Sequence, residues 1–220
     1  MKKSPPRQFI TRVLFYITGL FFMAFGVALS VNSGLGVSPV NSLPYVIHQI
    51  SGTALSTCII VVFCSYILLQ ALILRRDFQS VSLFQILFST VFGYFVDLSK
   101  WLIGSFSFPS YLGKLAMLAV SIVLVAIGVV LYIEVKLIPM PMEGLSLTLS
   151  QKLNISFHNT KIMIDCAVVL IGILLSYLFL HHLTGIREGT IITALATGKV
   201  MALVKAPLLS LIQRYCFETD

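Results

Sequence analysis

Glu143 follows the run Met140-Pro141-Met142 within a largely apolar segment, KLIPMPMEGLSLTLSQKLNISF, over residues 136–157. A carboxylate in such surroundings is costly unless paired, hydrated or protonated. It fits a proton carrier or a substrate contact, and it equally fits a cap answering the free N–H groups of a short helix. Lys161 and Asp165 stand four residues apart, which on a helix places them on one face as an ion pair. Asp165 lies a turn inside an apolar run, so the pair either stabilises the cytoplasmic start of a span or belongs to a substrate site. Arg187 and Glu188 precede Gly189 and Thr190, and Thr190, Thr193 and Thr197 form one hydroxyl stripe at helical spacing. Such a stripe lines a pathway or joins helices. Lys199 falls on the opposite face and snorkels toward the cytoplasm. Asp97 and Lys100 read as interfacial.

Other chemistry finds no support in the residues. His48, His158, His181 and His182 make no metal constellation, and Cys58, Cys64, Cys166 and Cys216 show no CxxC or ligand-like spacing. There is no nucleophile elbow, P-loop or HExxH, so no catalytic residue, metal or cofactor is expected and the chain does not read as an enzyme.

The elements that position these groups are membrane spans. Hydrophobic residues make up 58% of the chain, charged residues 10%, and the mean hydropathy is +0.99; soluble domains carry about 25% charged residues. A span needs about 20 apolar residues, and six segments fit: 13–31, 55–74, 80–98, 115–133, 162–180 and 188–204. The first is too long for a signal peptide and lacks an A-x-A-like site. The third and sixth are more polar (Gln85, Ser89 and Thr90; the threonines and Lys199) and are expected to line the bundle interior. The net charge of +7 comes from Lys and Arg between apolar runs, the pattern that fixes orientation rather than one that binds nucleic acid. With the amino terminus inside, Lys2, Lys3, Arg7, Arg12, Arg75, Arg76, Lys136, Lys152, Lys161, Lys205 and Arg214 fall inside, against Lys100, Lys114 and Arg187 outside. Both termini are therefore expected in the cytoplasm of a bacterial-type plasma membrane.

The halves of the chain repeat. AFGVALSVNSGLGVSPVNSL (24–43) aligns without a gap on AIGVVLYIEVKLIPMPMEGL (126–145), pairing Gly26 with Gly128, Pro39 with Pro141 and Asn41 with Glu143; Gln49 and Gln151 continue the match, and Gly93 pairs with Gly198 after an insertion of three residues. Pro39 and Pro141 each sit where a short helix begins, inside segments (34–54 and 136–157) too apolar for loops and too broken for spans. These read as re-entrant half-helices. The expected fold is all-α, with six transmembrane helices arranged as a 3+3 inverted repeat: a basic segment 1–12, a first repeat 13–103, an extracytoplasmic linker 104–114, a second repeat 115–210 and a tail 211–220.

TKIMIDCAVVLIGILLS (160–176) and GIREGTIITALATGK (185–199), with GLGVSPVN and PMPMEGLSLTLSQ, resemble the YczE/YyaS/YitT-type bacterial membrane proteins. The resemblance implies a multi-pass membrane protein in which Lys161 with Asp165, Gly189 with Thr190, and Glu143 after its proline match family elements. Gly198-Lys199 stands where Gly-Pro is common, and Leu175-Ser176 replaces a glycine-rich turn, which leaves the helix ends open.

Inverted repeats with broken helices are built for secondary transport, substrate binding near the midplane. The expected substrate site lies between Asn41 and Glu143, with Lys161, Asp165, Glu188, Thr190, Thr193 and Thr197, framed by Pro39, Pro141, Gly189 and Gly198. Two other readings stand beside a small transporter or exporter. One is a substrate-binding subunit of an ATP-driven complex, docking through Ala24 and Ala28; the other is a membrane scaffold or regulator. Besides the lipid bilayer, the partners expected are a small-molecule substrate and a homodimer mate or partner subunit.

Overall fold

A computed structural model describes residues 6–53, 55–78 and 80–217. Lys2, Lys3 and the end of the tail lie outside the described residues. The described residues form α1 (Pro6–Ser33), α2 (Pro39–Ser51), α3 (Leu55–Leu74), α4 (Gln85–Ile103), α5 (Tyr111–Glu134), α6 (Pro141–Leu153), α7 (Phe157–Leu180) and α8 (Glu188–Cys216), with two 3-10 turns before α4 and no strand. Six of these helices, all but α2 and α6, are long and apolar enough to cross a membrane. The protein is an all-helical integral membrane protein.

The short helices α2 and α6 have 13 residues each and start and stop by the same devices. Proline opens both, its fixed φ suiting the first turn where no N–H is needed. The preceding residues, Ser38 and Met140, are extended, as a residue before proline must be. Both end on a left-handed residue, Gly52 and Asn154. Their bounds coincide at an offset of 102, the same offset that relates the starts of α3 and α7. Packing follows the same pattern: α2 lies on α7 while α6 lies on α3.

Helices α1 and α5 form the central seam. A Cβ on Gly26 would stand 2.9 Å from the Ser121 carbonyl, and one on Gly128 would stand 2.6 Å from the Gly19 carbonyl. The partner numbers fall along α5 as they rise along α1, so the two helices run antiparallel. The contact is also reciprocal: Gly26 with Gly128 and Gly19 with Ser121 are pairs related by the offset of 102. Ser121 donates to the Gly26 carbonyl at 2.8 Å across the seam. Small residues permit this approach in lipid, where packing rather than the hydrophobic effect joins helices.

Three expectations change. Ala24 and Ala28 are fully buried within the chain, so they offer no docking face to another subunit. The third span is peripheral rather than interior: of α4 only Gln85, Phe92 and Ser99 are buried, and Thr90 is exposed. The sixth span runs on through Pro207 to Cys216 instead of stopping near residue 204, because Ile212 and Cys216 are buried in the core. Phe217 beyond it lies under the Arg12 and Lys136 side chains, 5.2 and 5.7 Å from their charged groups.

Candidate functional site

The chain around α2 is laced to the start of α8. Gly189 N donates to the Leu35 carbonyl (2.9 Å), Val37 N to the Gly185 carbonyl (2.9 Å), and Arg187 Nη1 to the Gly34 carbonyl (2.9 Å). The Thr190 hydroxyl donates to the Val37 carbonyl at 2.7 Å. Gly36 takes a φ of +119° there, and a Cβ on it would stand 2.5 Å from Thr190 Oγ1, so only glycine suits the position. The start of α6 is held differently. Gln70 donates to the Pro141 carbonyl at 2.9 Å and pairs through its amide with Gln85 at 3.1 Å both ways. Tyr16 donates to the nearby Ile138 carbonyl at 2.7 Å.

Between these two anchored starts lies a cavity of about 20 Å³ lined by Met23, Val27, Ser38, Pro39, Val40, Phe92, Val125, Glu143, Lys161, Asp165, Thr193 and Thr197. Met23 and Val125 are related by the offset of 102, so the cavity straddles the α1–α5 seam. Lys161 Nζ donates to Asp165 Oδ1 at 2.8 Å and lies 3.4 Å from Glu143 Oε1; all three side chains are at most 3% exposed. Glu143, Lys161 and Asp165 are the only buried Asp, Glu, Lys or Arg residues among those described. Glu143 Oε1 has no well-aligned hydrogen-bond donor, and Ser38 Oγ and Tyr66 Oη have no partner. Tyr132 stands beside Glu143 and the Met140 carbonyl, and Tyr16 meets Tyr132 edge to face at 5.8 Å.

The structure thus joins Glu143, Lys161, Asp165, Thr193, Thr197 and Pro39, and separates the others. Asn41 lines a different cavity of about 260 Å³, with Ile59, Phe63, Ser89, Asp97 and Lys100; Val27 and Phe92 border both spaces. Glu188 lies outside the cavity, 3.3 Å from Arg187 with its side chain 40% exposed, because it begins α8 rather than facing the core. Thr190 is occupied by its bond to Val37, and Thr193 and Thr197 donate to the carbonyls of Gly189 and Thr193 (2.7 Å each). Lys161 is buried, so it does not belong among the flanking basic residues. Gly189 packs on Leu35, and Gly198 packs on His158 and Ile162.

Sequence reading missed the Glu143–Lys161 contact, since nothing in the spacing links positions on separate helices. It also passed over Gln70, Ser38 and the three tyrosines. Gln70 had a signal: it is the lone amide in α3, whose other polar side chains are hydroxyls, and an amide within a span tends to face protein.

Residues 10–206 match the family profile described as a family of unknown function, DUF6198. The chain is 26% identical over 198 residues to the membrane protein YczE of Bacillus subtilis (strain 168), covering 89% of this chain and 86% of that one. It is 22% identical over 154 residues to YyaS of the same organism, covering 69% of this chain and 75% of that one. No solved structure matches it. With the profile spanning nearly all of α1 to α8, this chain belongs to the DUF6198 family and is similar to YczE and YyaS.

Proposed function

We propose that the protein is a small secondary transporter of the plasma membrane, built as an inverted repeat with α2 and α6 as re-entrant half-helices and both termini in the cytoplasm. The reciprocal antiparallel seam of α1 and α5, the coincident bounds of α2 and α6 and their exchanged packing support the inversion. The basic residues support the orientation: Arg12, Lys136 and Arg214 lie at one end of the bundle with Phe217, while Arg187 lies with Gly34 at the other.

The observation that carries transport is a buried ionic cluster flanked by matched cavities at the two ends of the bundle, with the matched helix pairs packed unequally at Gly198 and Gly93. In the second half, α8 presses on α7: a Cβ on Gly198 would stand 2.6 Å from the His158 carbonyl and from Ile162. In the first half the matched glycine, Gly93, has nothing within 4 Å of a Cβ and borders the cavity of about 260 Å³ with Lys100 at its rim. A second cavity of about 420 Å³, lined by Val129, Ile133, Met201 and Lys205, occupies the matched position at the other end. Alternating access follows if the two pairs exchange states, opening one cavity toward the cluster as the other closes.

A thermal-stability screen of the purified protein against small metabolites tests this reading, with vesicle flux measured for any hit. A ligand at 100 times its dissociation constant adds about 2.7 kcal/mol of stability. The expected result is a ligand that stabilises the wild type, is carried across vesicles, and does neither with Glu143→Ala. Hits that bind the wild type and the variant equally, or that bind without flux, overturn it.

A further inference from the structure

The buried cluster does not balance. Two carboxylates, Glu143 and Asp165, face one ammonium, Lys161, and no other buried Lys or Arg is present among the described residues. The distances also divide the three groups unevenly. Lys161 is hydrogen-bonded to Asp165 at 2.8 Å, whereas Glu143 Oε1 stands 3.4 Å away without any hydrogen bond. With Lys161 bonded to Asp165, Glu143 is the carboxylate left without a bonded counter-charge. A surplus charge in a water-poor interior is unfavourable until something neutralises it.

No helix end bonds to Glu143 Oε1, which has no hydrogen-bond partner. Pro39 and Pro141 have no N–H, and the Asn41 and Gly144 amides already donate to the Ser38 and Met140 carbonyls. An independent observation points into the same space: Ser38 Oγ is 95% buried by residue exposure, lines the cavity with Glu143, and has no hydrogen-bond partner. The cavity of about 20 Å³ is large enough for one water-sized occupant.

We propose that this site binds one exchangeable positive charge, neutralising Glu143 with Ser38 as a second contact, and that this charge is what couples the transport cycle. The shared chemistry is a single monovalent cation, with three sources: a proton, an alkali ion, or the ammonium head of a small amine. The groups that titrate and face Glu143 are Lys161 and Asp165 on α7, Tyr16 on α1, Tyr66 on α3 and Tyr132 on α5. The coupling role rests on the transport reading; occupancy of the site does not.

The test is the melting midpoint of the full chain in detergent, titrated separately with protons, sodium chloride and ethylammonium chloride, with choline chloride holding ionic strength. The expected result is a saturable, one-site rise of the wild-type midpoint with one of the three, identifying the source. If it is the proton, the midpoint falls as pH rises, as for any ligand that binds the folded chain and not the unfolded one. Glu143→Gln and Asp165→Asn each remove one negative charge, so both are expected to fold and to lose the response. A flat wild type, a Glu143→Gln protein that responds like the wild type, stabilisation by the chloride anion, or failure of both neutral variants to fold overturns the charge site. A cation response without vesicle flux leaves the site standing and removes the transport reading; flux without a cation response does the reverse.

Discussion

Asn41, Ile59 and Phe63 in the first half occupy the places held by Glu143, Lys161 and Asp165 in the second, each pair separated by 102 positions. All three of the former line the cavity of about 260 Å³, and all three of the latter line the small central one of about 20 Å³. The backbone devices of the two halves are alike: proline starts, left-handed stops and half-helices of 13 residues. Side chains make one interior small and built on a buried ionic cluster, the other larger with its charges, Asp97 and Lys100, exposed. A repeated frame therefore positions a site without dictating its chemistry, and the two halves act as controls for each other.

The sharpest way to break this comparison is Lys161→Met against Ile59→Met. Removing Lys161 strands two buried carboxylates, and stranding the partner of a buried ion pair costs about 3–5 kcal/mol. The matched change at Ile59 alters shape more than volume and should cost less than about 1.5 kcal/mol. Denaturant unfolding in detergent compares them, and equal losses would mean that the second half is not held by its charges.

A smaller effect separates the glycines. Gly198→Ala forces a methyl group against the His158 carbonyl, an overpacking of about 1–3 kcal/mol. Gly93→Ala enters open space and should be neutral or stabilising by up to about 1 kcal/mol, the helix preference for alanine. The same unfolding measurement decides; a costly Gly93→Ala would mean that the α3–α4 gap is filled.

The mildest change concerns the strap that holds α2. Thr190→Val removes the donor to the Val37 carbonyl, worth about 0.5–1.5 kcal/mol. Amide exchange should quicken in the first turn of α2 and stay unchanged in α6, which Gln70 holds instead. Equal quickening in both short helices would show that the two anchors are not independent.

Much of this arrangement could be read from the residues. The apolar runs located all six long helices, and Pro39 and Pro141 marked the short ones, because proline acts locally and its effect needs no partner. The pairing of Lys161 with Asp165 was likewise legible, since four residues on a helix fix a shared face. What stayed hidden was tertiary. Whether Glu143 caps its own helix or meets Lys161 depends on how α6 lies against α7, and no spacing encodes that. The peripheral place of α4 was misread for a related reason. Ser89 and Thr90 donate to carbonyls of their own helix, so their polarity needs no interior, and only Gln85 reaches a partner elsewhere. The continuation of α8 past Pro207 was hidden because burial of Ile212 and Cys216 outweighs the local break.

The seam between α1 and α5 bears on assembly. A patch that pairs with its own counterpart through a two-fold arrangement makes a closed contact and leaves nothing over for a further copy. Here both members belong to one polypeptide, so Gly19, Gly26, Ser121 and Gly128 are spent within the monomer. Association between whole chains must then be written on another surface, one that lipid covers when the protein stands alone.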